Sequence, residues 1–384
     1  ALRGRWAHVR VVADENIPGL EAMLGPGVEL QRVAGRGLAA QALAGADALL
    51  VRSVTRVDQA LLQGSGIRFV GSATSGYDHV DTDYLDRAGI AFAHAPGANA
   101  NSVVEYVLAA IAAIEDFLEK LLAGASVGIV GYGHVGSLLA ARLRALGITH
   151  RVYDPWLEQD AIPHATGLDA VFDCDVISLH PQLTDEQPYP SRHLAAARRL
   201  AAPGRGQLLI NASRGAVVDN AALLQRLRSP SPPAVVLDVW ESEPGINTEL
   251  LSAVQLGTAH IAGYSIDSKL RGAQRVVQAL ASHFELETSG QGAMDTPDLS
   301  LSAGSTRVQL IRDLILAHCP IHGDDELLRR AQASGDPAAA FDRLRRDYAP
   351  RYELAGKIVP PQASATQVDV LRSLGCITGP GLEQ

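Results

Sequence analysis

The chain has 384 residues, of which 47% are hydrophobic and 20% charged, and its formal net charge is −9. That length accommodates two or three domains of a soluble globular protein, and the acidic balance argues against a broad nucleic-acid-binding surface. The longest apolar run, VLAAIAAI at 107–114, falls far short of the ~20 residues of a membrane span. The start, ALRGRWAHVR, has no apolar signal core and no initiator Met, as expected of a processed or incomplete boundary. Cys174, Cys319 and Cys376 stand apart with no CxxC, and the twelve histidines form no HExxH. Neither a disulfide frame nor a metal site is expected, and the cysteine usage suits the cytoplasm.

In chain order, VRVVAD, ADALLVRS, IRFVGSAT and IAFAHAP read as strands separated by helical patterns over the first hundred residues. Ser102-Val-Val-Glu105 has the form of a capping box, opening a long helix through about residue 122. A second alternating set follows: SVGIVG, HRVYD, DVISLH, GQLLIN, AVVLDV and VQLGTAHI. Strands alternating with helices predict parallel sheets. The Ser-, Gly-, Thr- and Asp-rich stretch at 288–305 reads as a linker. Beyond it RVQLIRDLILAH, DELLRRAQA and AAAFDRLRRDY are helical, followed by KIVPP and ATQVDVLRSLG. The predicted fold is α/β: two Rossmann-like, doubly wound parallel-sheet domains with a cleft between them and a small C-terminal α+β domain. The expected bounds are 1–101 with 268–289 for a flavodoxin-like domain, 102–267 for a Rossmann domain and 290–384 for the C-terminal domain.

Gly131-Tyr-Gly133-His134-Val135-Gly136 is a GxGxxG between the strand SVGIV and a helical run. The next strand ends at Asp154, 18 residues past Gly136. Strand, glycines, helix, strand and terminal acid together form the dinucleotide signature, far more specific than the glycines alone. A carboxylate at Asp154 accepts from ribose hydroxyls and repels a 2′-phosphate, which favours NAD over NADP. The plain alternative is a tight strand-to-helix turn without cofactor.

Polar groups follow the later strands: His180 after DVISL, Arg214 in NASRGAVVDN, Asp238 at the end of AVVLD, Glu243 in DVWESEP and His260 in TAHIAGYS. In open parallel sheets ligands bind at the carboxyl ends of strands. Arg214 suits a substrate carboxylate, His260 a proton moving near neutral pH, and Glu243 the orientation of that imidazole. Each has an ordinary reading: a surface arginine, a loop acid, a hydrogen-bonded histidine. His180 rivals His260 as the base on position alone.

Taken together, GIVGYGHVG, DVISLH, NASRGAVVD, DVWESEP and HIAGYS resemble the D-isomer-specific 2-hydroxyacid dehydrogenases. ADENIP, LLVRSVT, FVGSATSGYDHVD, APGANANSVVEYVL and HIAGYSIDSKLRG narrow the likeness to a branch acting on a 4-phosphorylated acid. The resemblance covers nearly the whole chain from about residue 11 and is weakest after residue 290. It implies Arg214, Glu243 and His260 as catalytic, with His260 the proton donor in the reducing direction. It implies Ser53, Thr74 and Tyr264 as substrate contacts. For NAD it implies Gly131, Gly133, His134, Val135, Gly136, Asp154, Ala212, Ser213, Asp238 and Gly263. The implied reaction is oxidation at C2, and the implied assembly a homodimer using the C-terminal domain.

Pro181-Gln182-Leu183 stands where the family usually has Thr-Pro-Leu, removing a contact expected from a threonine. Ala259 replaces the usual proline before the catalytic histidine, which is expected to loosen the placement of His260. A phosphorylated substrate needs cationic or N–H donors. Arg52 is the first candidate for the phosphate, with an arginine reaching from across a dimer as a further one; Lys269 and Arg271 lie near an expected helix start. The basic run RLRRDYAPRYE at 343–353 reads as a solvated helix face. Two other functions fit the same residues: a dehydrogenase of another D-2-hydroxy acid such as 3-phosphoglycerate, and a non-catalytic NAD-binding scaffold or corepressor.

Overall fold

The computed structural model describes residues 8–114, 116–202, 204, 206–289, 299, 301 and 305–379. Its chain divides into two units: Ala1–Asn99 with Ser265–Thr296, and Ala100–Tyr264 with Pro297–Gln384. Most of the linker stretch read at 288–305, and most of the N-terminal extension, lie outside the described residues.

In the first unit, β1 (Val9–Asp14), β2 (Val28–Val33), β3 (Ala48–Val51), β4 (Phe69–Ser72) and β5 (Ala91–His94) pair in the order β2-β1-β3-β4-β5, all parallel. β3 and β4 are buried along their whole length, because a parallel sheet is covered on both faces and its inner strands need apolar residues throughout. One face meets the helix Ile266–Phe284, whose Ala273, Val276, Val277, Leu280 and Phe284 join Val9, Val11 and Leu50 in one cluster. Each such large side chain contributes roughly 1.5–3 kcal/mol of burial. Leu43, Leu61, Leu62 and Leu85 cover the other face. β2 was not anticipated. Its sequence, VELQRV, is half-buried at the sheet edge, where polar residues guard unpaired backbone groups, so it lacks an apolar signature.

In the second unit, β6 (Ser126–Val130), β7 (Thr149–Tyr153), β8 (Val176–Leu179), β9 (Leu208–Asn211), β10 (Ala234–Leu237) and β11 (Leu256–Gly257) are ordered β11-β10-β9-β8-β6-β7, again parallel. Among the described residues no helix is long and apolar enough to cross a membrane.

The C-terminal segment is built onto this unit. Leu310, Ile311, Leu314 and Ile315 of the helix Arg307–His318 share a core with Val103, Val107 and Ile111 of the helix Ala100–Ala113. Polar links reinforce it. Arg312 makes a two-pronged bond to Glu119 at 2.7 and 2.8 Å, and Asp325 accepts from the Gly257 N–H at 2.7 Å. Three further helices, Ile321–Gln332, Pro337–Arg346 and Ala365–Ser373, complete it. Its strand character among the described residues is one bridge, Ile358 to Ile377.

The expected capping box is not one. The helix begins at Ala100, so Ser102 and Glu105 lie inside it, both buried, and the helix ends at Ala113 before a separate one, Phe117–Leu122. Ser102 Oγ donates to the Ala262 carbonyl at 2.8 Å, and Glu105 Oε1 accepts from the N–H groups of Leu354 and Ala355 at 2.7 and 3.0 Å. These polar groups dock the C-terminal segment instead of starting a helix. All three cysteines are free and buried in this second unit.

Candidate active site

The strand order reverses at β6, which has β7 on one side and β8 on the other. The crevice beyond the carboxyl ends of β6 and β8 is therefore where such a sheet takes a ligand. Three glycines follow β6. Gly131 sits at φ +91°, and a Cβ there would lie 2.8 Å from the His180 carbonyl carbon. A Cβ on Gly136 would lie 1.9 Å from the Gly131 oxygen. Both are glycine because the turn and the helix–strand packing leave no room. Gly133 differs: a Cβ there meets nothing within 4 Å. That open space faces the start of the helix His134–Ala145, which has no side-chain cap. Exposed N–H groups and the positive end of the helix dipole suit a pyrophosphate. His134 is exposed and Val135 half-buried on the same turn. Pro181 offers no N–H here.

Asp154 follows β7 and is held by two backbone donors, Tyr132 N–H to Oδ2 at 2.8 Å and Trp156 N–H to Oδ1 at 3.0 Å. Its carboxylate is aimed by the glycine loop itself, and two oxygens retain capacity for hydroxyl donors. The residues present thus fit a dinucleotide with free ribose hydroxyls.

Beyond β9 the turn containing Ala212 and Ser213 is organised by Asn211, fully buried. Its Oδ1 accepts from Ser213 Oγ at 2.9 Å and Ser213 N–H at 3.2 Å, while its Nδ2 donates to the Arg214 carbonyl at 3.0 Å. Arg214 is half-buried and its Nη1 donates to the Ser213 carbonyl at 2.8 Å. Gly215 is glycine because a Cβ would lie 2.0 Å from the Trp240 oxygen. That close approach sets Arg214 beside the 240–243 turn, where the Trp240 N–H donates to Glu243 Oε1 at 2.8 Å.

Glu243 Oε2 and His260 Nδ1 are 2.8 Å apart. Burial pushes the Glu243 carboxyl upward, but the neighbouring His260, the bond to it, Arg345 and the Trp240 N–H outweigh this and hold it below the ordinary value. It is an ionised orienting group. His260 adopts φ 55° and its Nε2 carries no hydrogen bond among the described residues. With Nδ1 committed to Glu243, Nε2 is the nitrogen open to substrate.

Asp238 explains how a non-glycine residue is kept there. It is 1% exposed, and its carboxylate accepts from Thr258 Oγ1, Ile261 N–H and Ala262 N–H at 2.7, 2.7 and 2.9 Å. Its own carbonyl accepts the His260 N–H at 2.7 Å. The loop carrying His260 and Gly263 is fastened by Asp238, so Ala259 in place of proline leaves His260 well anchored.

His180, the rival base, has a different environment. Its Nε2 meets Ser178 Oγ at 2.8 Å and burial pushes its pKa down to about 4. No carboxylate orients it, whereas His260 has Glu243, and the geometry separates the two where the residue pattern did not.

Tyr264, the last residue of this unit's central stretch, accepts a hydrogen bond at its hydroxyl from Arg345 Nη2 at 2.9 Å. Arg345 and Arg351 were missed as site-forming residues. The run at 343–353 is not uniformly solvated. Arg351 is 4% exposed and donates to the carbonyls of Ser102 and Ala262 at 3.1 and 2.6 Å and to Ser102 Oγ. Arg343 and Arg346 are exposed. The helix period of the run carried the signal: Arg345 lies three before Tyr348, and both pack on Tyr264.

The remaining candidates belong to the first unit. Arg52 Nε donates to Asp14 Oδ1 at 3.1 Å, and this carboxylate is 1% exposed. Asp14 ends β1 and Arg52 follows β3, at that sheet's own reversal. Ser53 lines a cavity of about 340 Å³ with Arg56, Asp58, Asp78 and His79. Thr74 Oγ1 bonds Ser72 Oγ at 2.7 Å and the Gly76 carbonyl at 2.8 Å. Lys269 and Arg271 lie in the first turns of Ile266–Phe284, and Arg271 Nε donates to the Ala98 carbonyl at 2.9 Å.

A nucleotide cradle and an oriented carboxylate–imidazole pair on one parallel sheet define an NAD-dependent oxidoreductase acting on a CH–OH group. Residues 104–262 match the model of the D-isomer specific 2-hydroxyacid dehydrogenase, NAD binding domain, and NAD is the cofactor. A D-lactate dehydrogenase from Aquifex aeolicus, solved with NAD and lactic acid, shares the fold: TM-score 0.59, 24% identity, 72% of this chain and 95% of that one covered. The erythronate-4-phosphate dehydrogenase of Marinobacter nauticus is 42% identical over 382 residues, covering 95% of this chain and 98% of its own. That of Cellvibrio japonicus is 44% identical over 355 residues, covering 90% and 93%. The chain belongs to the erythronate-4-phosphate dehydrogenase family.

Proposed function

We propose that this protein oxidises 4-phospho-D-erythronate at C2 to 2-oxo-3-hydroxy-4-phosphobutanoate, a step toward pyridoxal 5′-phosphate. The observation that carries the reading is the 2.8 Å Glu243–His260 pair with Nε2 open. In this reading Arg214 holds the substrate carboxylate and polarises the C2 oxygen. His260 Nε2 takes the hydroxyl proton as the carbonyl forms, and Glu243 stabilises the resulting imidazolium. Bound NAD supplies the hydride acceptor. Ser53, Thr74 and Tyr264 contact the substrate, and Arg52 contributes to its anionic end while paired with Asp14. Gly131, Gly133, His134, Val135, Gly136, Asp154, Ala212, Ser213 and Gly263 serve the cofactor, with Asp238 acting through the loop it fastens.

The test is turnover of 4-phospho-D-erythronate with NAD and a 2-oxo acid acceptor, alongside D-3-phosphoglycerate. Turnover of the first acid alone, reduced about 10²–10⁴-fold in His260→Ala, supports the reading. Turnover of phosphoglycerate instead keeps the residue roles and discards the substrate. Folded, NAD-binding protein inactive on both would favour a scaffold.

We further propose a cytoplasmic homodimer formed through the C-terminal segment. Ile358 and Ile377, adjacent across their bridge, are 60% and 54% exposed, which supports an apolar contact surface there. Light scattering at micromolar concentration should give twice the 40.5 kDa chain mass; a monomer would overturn the assignment.

A further inference from the structure

Arg345 sits in the last turn of the helix Pro337–Arg346, 81 residues beyond Tyr264 in sequence, yet its Nη2 donates to the Tyr264 hydroxyl at 2.9 Å. Its guanidinium also lies over the Tyr264 ring, 5.5 Å from the centroid. Tyr348 backs the same ring edge-on at 6.2 Å. Tyr264 itself stands four residues after His260, on the loop that Asp238 fastens. The tyrosine is therefore fixed by contacts from the C-terminal segment.

We infer that Arg345 is a specificity-determining residue of this site, forming with Tyr264 a pair that reads the phosphate of the substrate. The inference rests on the proposed reaction and adds Arg345, with Tyr264, to the residues assigned to the phosphate. A phenol accepting a hydrogen bond from a cation turns its own proton away from that cation and donates it more strongly. A donor polarised in this way, beside a planar guanidinium, matches a phosphate dianion rather than a neutral hydroxymethyl group. Burial disfavours the Arg345 charge, but Tyr264, Glu243 and Asp238 sustain it. Arg343 and Arg346 are exposed, and Arg346 pairs with Asp347 at 2.8 Å, so they do not share this role. Arg351 is committed to backbone carbonyls.

The experiment uses the full-length protein saturated with NADH. Binding of inorganic phosphate is measured by calorimetry for the wild type, Arg345→Met, Arg345→Lys, Tyr264→Phe and the double variant Arg345→Met/Tyr264→Phe. Thermal melts establish that each is folded. Losing a charge-assisted bond should weaken phosphate binding about tenfold or more in Arg345→Met. Arg345→Lys should recover part of it, and the double variant should be no weaker than the weaker single one. In steady-state kinetics, the preference for 4-phospho-D-erythronate over D-erythronate should fall by a similar factor, mainly through KM. Unchanged phosphate binding in Arg345→Met, equal losses on both acids, or a wild type that binds no phosphate would overturn the inference. If Arg345→Met does not fold, Tyr264→Phe and Arg345→Lys carry the same comparison. A wild type that binds phosphate through Arg345 yet oxidises neither acid would leave the inference standing and remove the proposed reaction.

Discussion

At the scale of single residues, Asp154 does two things that are usually discussed as one. As a carboxylate at the end of β7 it excludes a 2′-phosphate by charge. Its two oxygens also accept the N–H groups of Tyr132 and Trp156, so it ties the glycine loop to the following turn. Asp154→Ala should therefore cost roughly 0.5–1.5 kcal/mol of stability from the two lost bonds, one part-buried and one exposed, besides weakening NAD binding. A melt and a calorimetric titration measure the two effects separately. An unchanged Tm with weaker NAD would show that the bonds to Tyr132 and Trp156 are immaterial. Asp238 shows a similar division of labour. Its position at a strand end marked it as a ligand contact, yet its oxygens are filled by Thr258, Ile261 and Ala262. Sequence position locates a carboxylate at the crevice, but which donors turn toward it depends on a loop twenty residues further on.

At the scale of elements, the helix Ala100–Ala113 carries Glu105 into a dry place. Burial, then the nearby Glu353, push its pKa up to about 8, against the pull of the Ala355 and Leu354 N–H groups and Arg351. An unfolded chain holds this proton only below the ordinary value near 4.5. The contribution to stability is therefore complete below about pH 4.5 and declines as the pH rises through about 8. The slope is at most about 1.4 kcal/mol per pH unit. Glu105→Gln, permanently neutral, should flatten that decline, measured as denaturation free energy between pH 5 and 8. Parallel curves for the two proteins would contradict it. The same helix marks the boundary of what the sequence disclosed. Continuous apolar runs such as LLIN and AVVL announced inner strands because both their faces are covered, and GYGHVG announced the cradle because its glycines answer local backbone demands. Ser102 and Glu105 misled because their spacing fits a helix start, while their actual partners, Arg351, Leu354 and Ala355, lie about 250 residues away. The Glu243–His260 pair was legible as residue types; position alone left His180 level with His260, the resemblance ranked them, and the 2.8 Å distance gives that ranking a physical basis.

At the scale of the whole molecule, the described residues of the C-terminal segment, 305–379, share the core of the nucleotide-binding unit. Leu310, Ile311, Leu314 and Ile315 are each at most 3% exposed against Val103, Val107 and Ile111. A chain ending at residue 296 would bare that apolar face and strip Glu105 and Glu119 of their partners Leu354, Ala355 and Arg312. It should be insoluble or melt far below the full chain, as a soluble-fraction assay and thermal scan would show. A soluble truncated chain of unchanged Tm would mean the two parts fold independently. The core of the nucleotide-binding unit is thus completed by sequence that follows the other unit's last helix.

The three cysteines give this arrangement an experimental handle. Cys174, Cys319 and Cys376 are 1%, 0% and 6% exposed, and burial raises all three thiols, Cys319 to about 12 and Cys376 to about 11. A thiolate is the reactive form, so folded protein should resist alkylation at neutral pH and react only as it opens. Cys319 and Cys376 belong to the C-terminal segment, so their rate of modification would time its release, against Cys174, in the turn before β8, as an internal clock. The other unit contains no cysteine at all. One placed on its surface would be the sole reactive thiol, which makes the natural chain a labelling background that needs no prior removal of sulfur.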